Sequence, residues 1–148
     1  MKIISENRRS RYDYAIEKKY EAGIILTGSE VKSLRNNGVQ GLAESYIFFD
    51  NGVPTITNMS ISPYSHSGTH FNHVPTRNRV LLLSRREIGQ LTAAVAKDGM
   101  TIVPVRMYFD DNRRVKIEIA LAKGKTNYDK RQATAERDWQ RRKQRGED

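Results

Sequence analysis

Two alternating runs near the end of the chain constrain its fold most. Val105, Met107 and Phe109 alternate with Arg106 and Tyr108, while Val115, Ile117, Ile119 and Leu121 alternate with Lys116 and Glu118. A period of two puts one set on the buried face of a sheet and the other on its outer face. Between the runs, Asp110-Asp111-Asn112 supplies turn residues, so the pair is predicted to be an antiparallel hairpin. On the outer face Arg106 and Tyr108 fall near Lys116 across the ladder. A cation beside an aromatic ring suits RNA there, and it equally suits an ordinary solvated sheet face.

Further strands precede this hairpin. Tyr12, Tyr14 and Ile16 alternate with Asp13, Ala15 and Glu17, and Ile24-Ile25-Leu26 follows Gly23, where a bulge or bend is expected. Tyr46 to Phe49 and Thr55 to Thr57 flank the turn Asp50-Asn51-Gly52, and Pro54 should put the return strand's start at an edge. Val80 to Leu83 is continuously apolar and reads as a buried strand.

Thr27-Gly28-Ser29-Glu30 and Ser84-Arg85-Arg86-Glu87 both have the form of a capping box. The first opens a short helix with Val31 and Leu34 inward, ended by Asn37-Gly38. The second opens a helix with Ile88, Leu91 and Val95 inward, closed by Asp98-Gly99. Residues 60 to 79 form a long polar loop, of the kind that is functional or mobile. With no βαβ alternation, the expected class is mainly β with short helices. The architecture that suits it is an OB-fold-like antiparallel β-barrel with flanking helices.

The ends of the chain read differently from its body. Residues 1–11 carry Arg8, Arg9 and Arg11 and are expected to be a flexible basic arm; residues 12–123 would be the barrel and 124–148 a basic tail. Residues 123–148 hold nine Lys/Arg against five Asp/Glu, with no Pro and no hydrophobic face. Such a segment cannot repay its ordering entropy by packing, so it should be disordered in isolation. Past Gly124 it still consists mostly of good helix formers, and helical winding puts Lys130, Arg137, Arg141 and Arg145 on one stripe with Trp139 opposite. A solubilising tail is the plain reading; the stripe and the single Trp favour a tail that folds against a polyanion.

The whole chain has 26 Lys/Arg against 17 Asp/Glu, a net charge of +9, which is the footprint of a nucleic-acid binder. No run approaches the ~20 apolar residues of a membrane span, no signal peptide is evident and no cysteine occurs. A cytoplasmic monomer away from membranes is the expectation. His66, His70 and His73 share one loop at spacings that can surround a metal, but the segment is too polar and Gly-containing for a regular helix and offers no carboxylate between His66 and Val74. The acidic residues are scattered among bases, and no P-loop, dinucleotide fingerprint or nucleophile elbow occurs. The reading is a binder, with no catalytic residues, no metal and no cofactor.

A series of motifs resembles the family of SsrA-binding proteins, small protein B. They are Tyr20-Glu21-Ala22-Gly23-Ile24, Gly28 to Arg35, Asn58 to Tyr64, Asn72-His73 with Pro75, Arg77 to Glu87, Leu121 to Lys125, Tyr128-Asp129-Lys130-Arg131 and Glu136 to Gln140. The resemblance runs from about Tyr14 to Trp139 in the family's order. It implies an OB-type barrel that binds the tRNA-like domain of transfer-messenger RNA (SsrA RNA) and serves trans-translation on stalled ribosomes. Elongation factor Tu and alanyl-tRNA synthetase would be met indirectly, through the RNA. In the small ribosomal subunit the tail would become a helix that probes the empty messenger channel.

Position by position, the resemblance ties Glu21, Leu82 and Lys116 to RNA binding. It makes Gly124 a hinge, sends Tyr128, Asp129, Lys130 and Arg131 to the decoding centre, and puts Trp139 further along the channel with Arg137 beside it. Two positions depart from the family: Val74 replaces an acid, and Tyr128 stands where some relatives have His, which keeps stacking but loses a protonation role. Rival readings are a general OB-fold RNA-binding protein without preference for transfer-messenger RNA, a metal-dependent RNA-cleaving enzyme and a membrane-surface protein.

Overall fold

The computed structural model of the chain describes residues 1–65, 72–124, 131, 135 and 137–141. In chain order these form β1 (Lys2–Glu6), α1 (Ser10–Asp13), β2 (Tyr14–Ile24), α2 (Gly28–Asn37), β3 (Val39–Gln40) and β4 (Tyr46–Asp50), then β5 (Val53–Thr57), β6 (Ser60–Ile61), β7 (Arg79–Leu82), α3 (Arg85–Asp98), β8 (Thr101–Phe109) and β9 (Val115–Gly124). Seven strands make one sheet in the order β1-β8-β9-β2-β7-β5-β4, and β3 pairs with β6 apart from it. Every pairing is antiparallel. The fold is therefore mainly β with short helices. The hydrogen-bonded order ends at β1 and β4, with no closed ring among the described residues.

Local signals in the sequence act where they were expected. In both capping boxes the Thr27 or Ser84 oxygen accepts from the backbone N–H three residues on, and Glu30 or Glu87 reaches back to the cap. Gly38 and Gly99 end the helices at positive φ, the conformation glycine adopts without a Cβ penalty. In the β4–β5 turn Asn51 and Gly52 both have positive φ, as a tight hairpin requires. Asp110 Oδ1 accepts from the N–H groups of Asn112 and Arg114 and fixes the β8–β9 turn.

Four expectations need correction. The arm expected to be flexible contains β1 on the sheet edge, and Asn7 and Ser10 behind it are buried. What holds it is backbone pairing and the Asn7 amide donating to Pro104 O at 2.8 Å, neither of which needs an apolar run. Gly23 lies within a continuous β2, whose register instead shifts between Ile16 and Lys18. A second shift between Pro104 and Arg106 turns Val105 away from Met107, so Val105 packs with Val103, Ala120 and Ala122 while Met107 enters the main core. On α3, Leu91 is buried and Ala94 packs inward, leaving Val95 exposed.

The sharpest departure from the sequence reading is Glu30. Beyond closing its capping box it is fully buried, and its carboxylate binds the guanidinium groups of both Arg77 and Arg79. Arg79 is almost as buried and also donates to the carbonyls of Met59, Pro75 and Arg77. One carboxylate thus fastens the start of α2 to β7 and to the loop before it. His73 adds a strut: its Nε2–H donates to Ile61 O at 2.8 Å, so its Nδ1 accepts from the Ser29 hydroxyl at 2.8 Å.

Burial pushes the Glu30 carboxyl up, but the hydrogen bonds from Arg77, the Thr27 N–H and Arg79 outweigh it, and the net direction is below the ordinary 4.5. The fold therefore favours the ionised form, and this contribution is complete above pH 4.5 and is lost as pH falls through the lower folded-state value. Glu30→Gln leaves the buried Arg79 and the partly exposed Arg77 without their counter-charge and is expected to cost about 3–5 kcal/mol at neutral pH. Urea unfolding from pH 7 to 3 should show the parent losing stability in acid and the variant losing less.

Candidate nucleic-acid interface

Register brings the expected RNA-binding positions together. Gly23 on β2 is opposite Leu82 on β7 and opposite Lys116 on β9; Lys116 is opposite Tyr108 on β8, and Tyr108 is opposite Ile3 on β1. Directly paired residues share a face, so Leu82, Lys116, Tyr108 and Ile3 form one row with a notch at Gly23. A Cβ on Gly23 would come within 3.2 Å of Leu82 Cβ, so the missing side chain is what keeps the notch open. The notch belongs to a groove of about 330 Å³ lined by Leu82 and Lys116, with Arg113 and Arg114 from the β8–β9 turn.

Leu82 is not a core residue. Leu81 beside it is buried, whereas Leu82 is 56% exposed, so the continuous apolar run of β7 is an alternation in space. An exposed apolar side chain next to a cation can cover a ribose or base face while the cation meets phosphate. Lys116 is half-buried and has no ion-pair partner among the described residues.

The next row along the same face is Glu21, Glu118 and Arg106. Glu118 is shared between Arg106 at 3.3 Å and Lys19 at 3.7 Å, and the Arg106 guanidinium lies 5.4 Å from the centre of the Tyr108 ring. Tyr108 is only 4% exposed and its hydroxyl donates to the Glu21 carboxylate. Burial pushes the phenol up from its ordinary 10, and the Glu21 hydrogen bond pushes it further. The ring expected to form a stacking platform is therefore a buried support, and its hydroxyl presents Glu21 as a fixed surface acceptor. Sequence reading missed Gly23, Arg113 and Arg114; the basic pair after the Asp110 turn was the signal for the last two.

Gly124 is the last residue of β9. Arg131, Arg137 and Trp139 have helical backbone and are exposed, and the Arg137 guanidinium lies 5.8 Å from the Tyr12 ring centre. Tyr128, Asp129 and Lys130 lie outside the described residues, as do His66 and His70. The ring nitrogens of His73 are committed to Ser29 and Ile61. No helix among the described residues is long and apolar enough to cross a membrane.

The sequence profile of the SmpB protein matches residues 4–147. The chain belongs to the SmpB family. The SsrA-binding protein of Sphingopyxis alaskensis is 54% identical over 144 residues, covering 97% of this chain and 88% of the relative. That of Caulobacter vibrioides is 51% identical over 144 residues, covering 97% of this chain and 93% of the relative. A chain of the solved structure "tmRNA-SmpB: a journey to the center of the bacterial ribosome" superposes with a TM-score of 0.64 at 40% identity, over 88% of this chain and 93% of its own.

The burial of Tyr108 separates a support from a platform. Tyr108→Phe is expected to keep the fold and cost about 1–2 kcal/mol for the lost hydrogen bond to a carboxylate. Tyr108→Ala should cost about 3–5 kcal/mol for the emptied site. Urea unfolding of the two variants checks this; an exposed stacking ring would leave stability nearly unchanged in both.

Proposed function

We propose that the chain binds the tRNA-like domain of transfer-messenger RNA and delivers it to stalled ribosomes for trans-translation in the bacterial cytoplasm. The observation that carries the RNA-binding part is the row Leu82–Gly23–Lys116 with Glu21 one step along the same face. Leu82 and Lys116, far apart in sequence, meet on one open groove that offers an apolar cover and a cation, with Glu21 beside it as a fixed acceptor. Phosphate positions the RNA through Lys116, and Glu21 accepts from a ribose hydroxyl or a base amine. The relatives named for SsrA binding, at 51–54% identity over 97% of this chain, support the choice of RNA. The similar solved chain from work on tmRNA and the ribosome supports the place of action. The activity is binding, without chemistry of its own.

In this reading residues 12–123 form an OB-type barrel; the strand order and the approach of β4 to β8 support such curling of the sheet. Residues 124–148 are a separate module, loose until they enter the messenger channel of the small subunit. Gly124 is its hinge, Tyr128 to Arg131 meet the decoding centre, and Arg137 and Trp139 lie further along. Elongation factor Tu and alanyl-tRNA synthetase are reached through the RNA.

Lys116→Ala is expected to weaken binding of the tRNA-like domain about tenfold while the melting temperature stays within a few degrees, because the side chain has no structural partner. Truncation after Gly124 should leave that binding intact and abolish tagging of stalled chains in a reconstituted translation system. Filter binding and a tagging assay check the two outcomes; loss of RNA affinity on truncation would contradict a separate tail.

A further inference from the structure

A second concavity opens on the same sheet face, about 510 Å³ in volume, where the chain leaves β1 and turns through α1. Arg8, Arg11, Lys19 and Arg106 line it against Glu6 and Glu118, so four cations face two carboxylates. Two side-chain atoms of its lining residues, Asn7 Oδ1 and Arg106 Nε, are buried and find no partner among the described residues. Asn7 is 6% exposed and otherwise fully engaged. Its amide nitrogen donates to Pro104 O, its backbone N–H to Val105 O, and its carbonyl accepts from the Ser10 hydroxyl. Because Pro104 O can only accept, the amide cannot be flipped, and the free atom is an acceptor.

A buried acceptor and a buried donor left without partners cost the fold unless a ligand satisfies them. Arg106 on β8 is opposite Glu6, the last residue of β1, and Asn7 directly follows Glu6. A hydroxyl offers both what Asn7 Oδ1 lacks, a donor, and what Arg106 Nε–H lacks, an acceptor. The rim suits an anion on either side of that hydroxyl. Arg8 is exposed and its ion pair to Glu6 is 3.9 Å long; Lys19 is 3.7 Å from Glu118. Arg8 and Lys19 are themselves exposed, and ion pairs this long hold such cations weakly enough to exchange for a phosphate.

We propose that this cleft is a second RNA subsite that holds one ribonucleotide of a chain, its 2′-hydroxyl on Asn7 and Arg106 and its flanking phosphates on Arg8 and Lys19. The inference rests on the RNA-binding reading and adds to it a place where the protein distinguishes RNA from DNA. It lies beyond the Lys116 groove, past the Glu21–Glu118–Arg106 row.

The test follows the side-chain N–H resonances of Asn7 and Arg106 in the full-length protein, titrated with a tetrauridylate, its all-2′-deoxy counterpart and free uridine monophosphate. The ribo-oligomer is expected to move both resonances and to bind about fivefold more tightly than the deoxy-oligomer, the effect of about one hydrogen bond. Arg8→Ala, on an exposed side chain, should weaken both oligomers about equally. Equal affinity for the two oligomers, unmoved Asn7 and Arg106 resonances, or monophosphate binding as tight as the oligomer would each overturn the subsite. A Lys116-dependent complex with the tRNA-like domain, alongside silent Asn7 and Arg106, would sink the subsite alone. Ribo-selective shifts at Asn7 without any tRNA-like-domain complex would instead sink the transfer-messenger RNA reading.

Discussion

Glu30 sits fully buried between Arg77 and Arg79 while its backbone and that of Thr27 start α2. A charge in that position is costly unless every lone pair is used, and here two guanidinium groups and a backbone N–H use them. The consequence reaches beyond the ion cluster. Arg79 begins β7, and β7 is the strand that joins β5 and β4 to the side of the sheet containing β2 and β9. Leu82 ends the same strand, three residues from the buried arginine. The position of this exposed leucine is therefore tied to a charge cluster on the inner side of the sheet.

The outer face is organised by contrast rather than by uniform positive charge. Glu21 and Glu118 lie among Lys19, Arg106 and Lys116, and each carboxylate is engaged, one by the Tyr108 hydroxyl and the other by two cations. A face that were simply basic would hold any polyanion through counterion release. Fixed acceptors between cations penalise a phosphate in the wrong place and reward ribose or base donors in the right one. This is the physical sense in which such a surface can read the shape of a folded RNA.

Much of this was legible in the sequence, and the limits follow from where information is local. The capping boxes at Thr27 and Ser84, the Asn51-Gly52 turn and the β8–β9 alternation depend on neighbours within a few residues, and they appear in the structure as read. Register shifts at Ile16/Lys18 and Pro104/Arg106 are set by strands distant in sequence, so the turning of Val105 away from Met107 was invisible. Leu82 was hidden by its apolar neighbours, since a run of four hydrophobic residues does not say that one of them faces outward. Tyr108 carried the opposite ambiguity: an aromatic on an outer face looked like a platform, and only the contact with Glu21, 87 residues away, shows it to be a support. Glu30 was seen only as a cap because its charged partners come from the loop and β7, 47 and 49 residues away. The grouping of Glu21, Leu82 and Lys116 came from family resemblance; pairing through Gly23 supplies its geometric reason.

The central claim is that this face recognises a folded tRNA-like shape and not polyanions in general. Its most direct test is competition at near-physiological salt, with labelled tRNA-like domain of transfer-messenger RNA challenged by unlabelled domain, ordinary tRNA and an unstructured RNA of equal length. The account predicts that the unlabelled domain displaces the label at far lower concentration than the unstructured RNA does. Displacement by the unstructured RNA at the same concentration would contradict it, leaving a basic sheet that binds RNA without reading its shape.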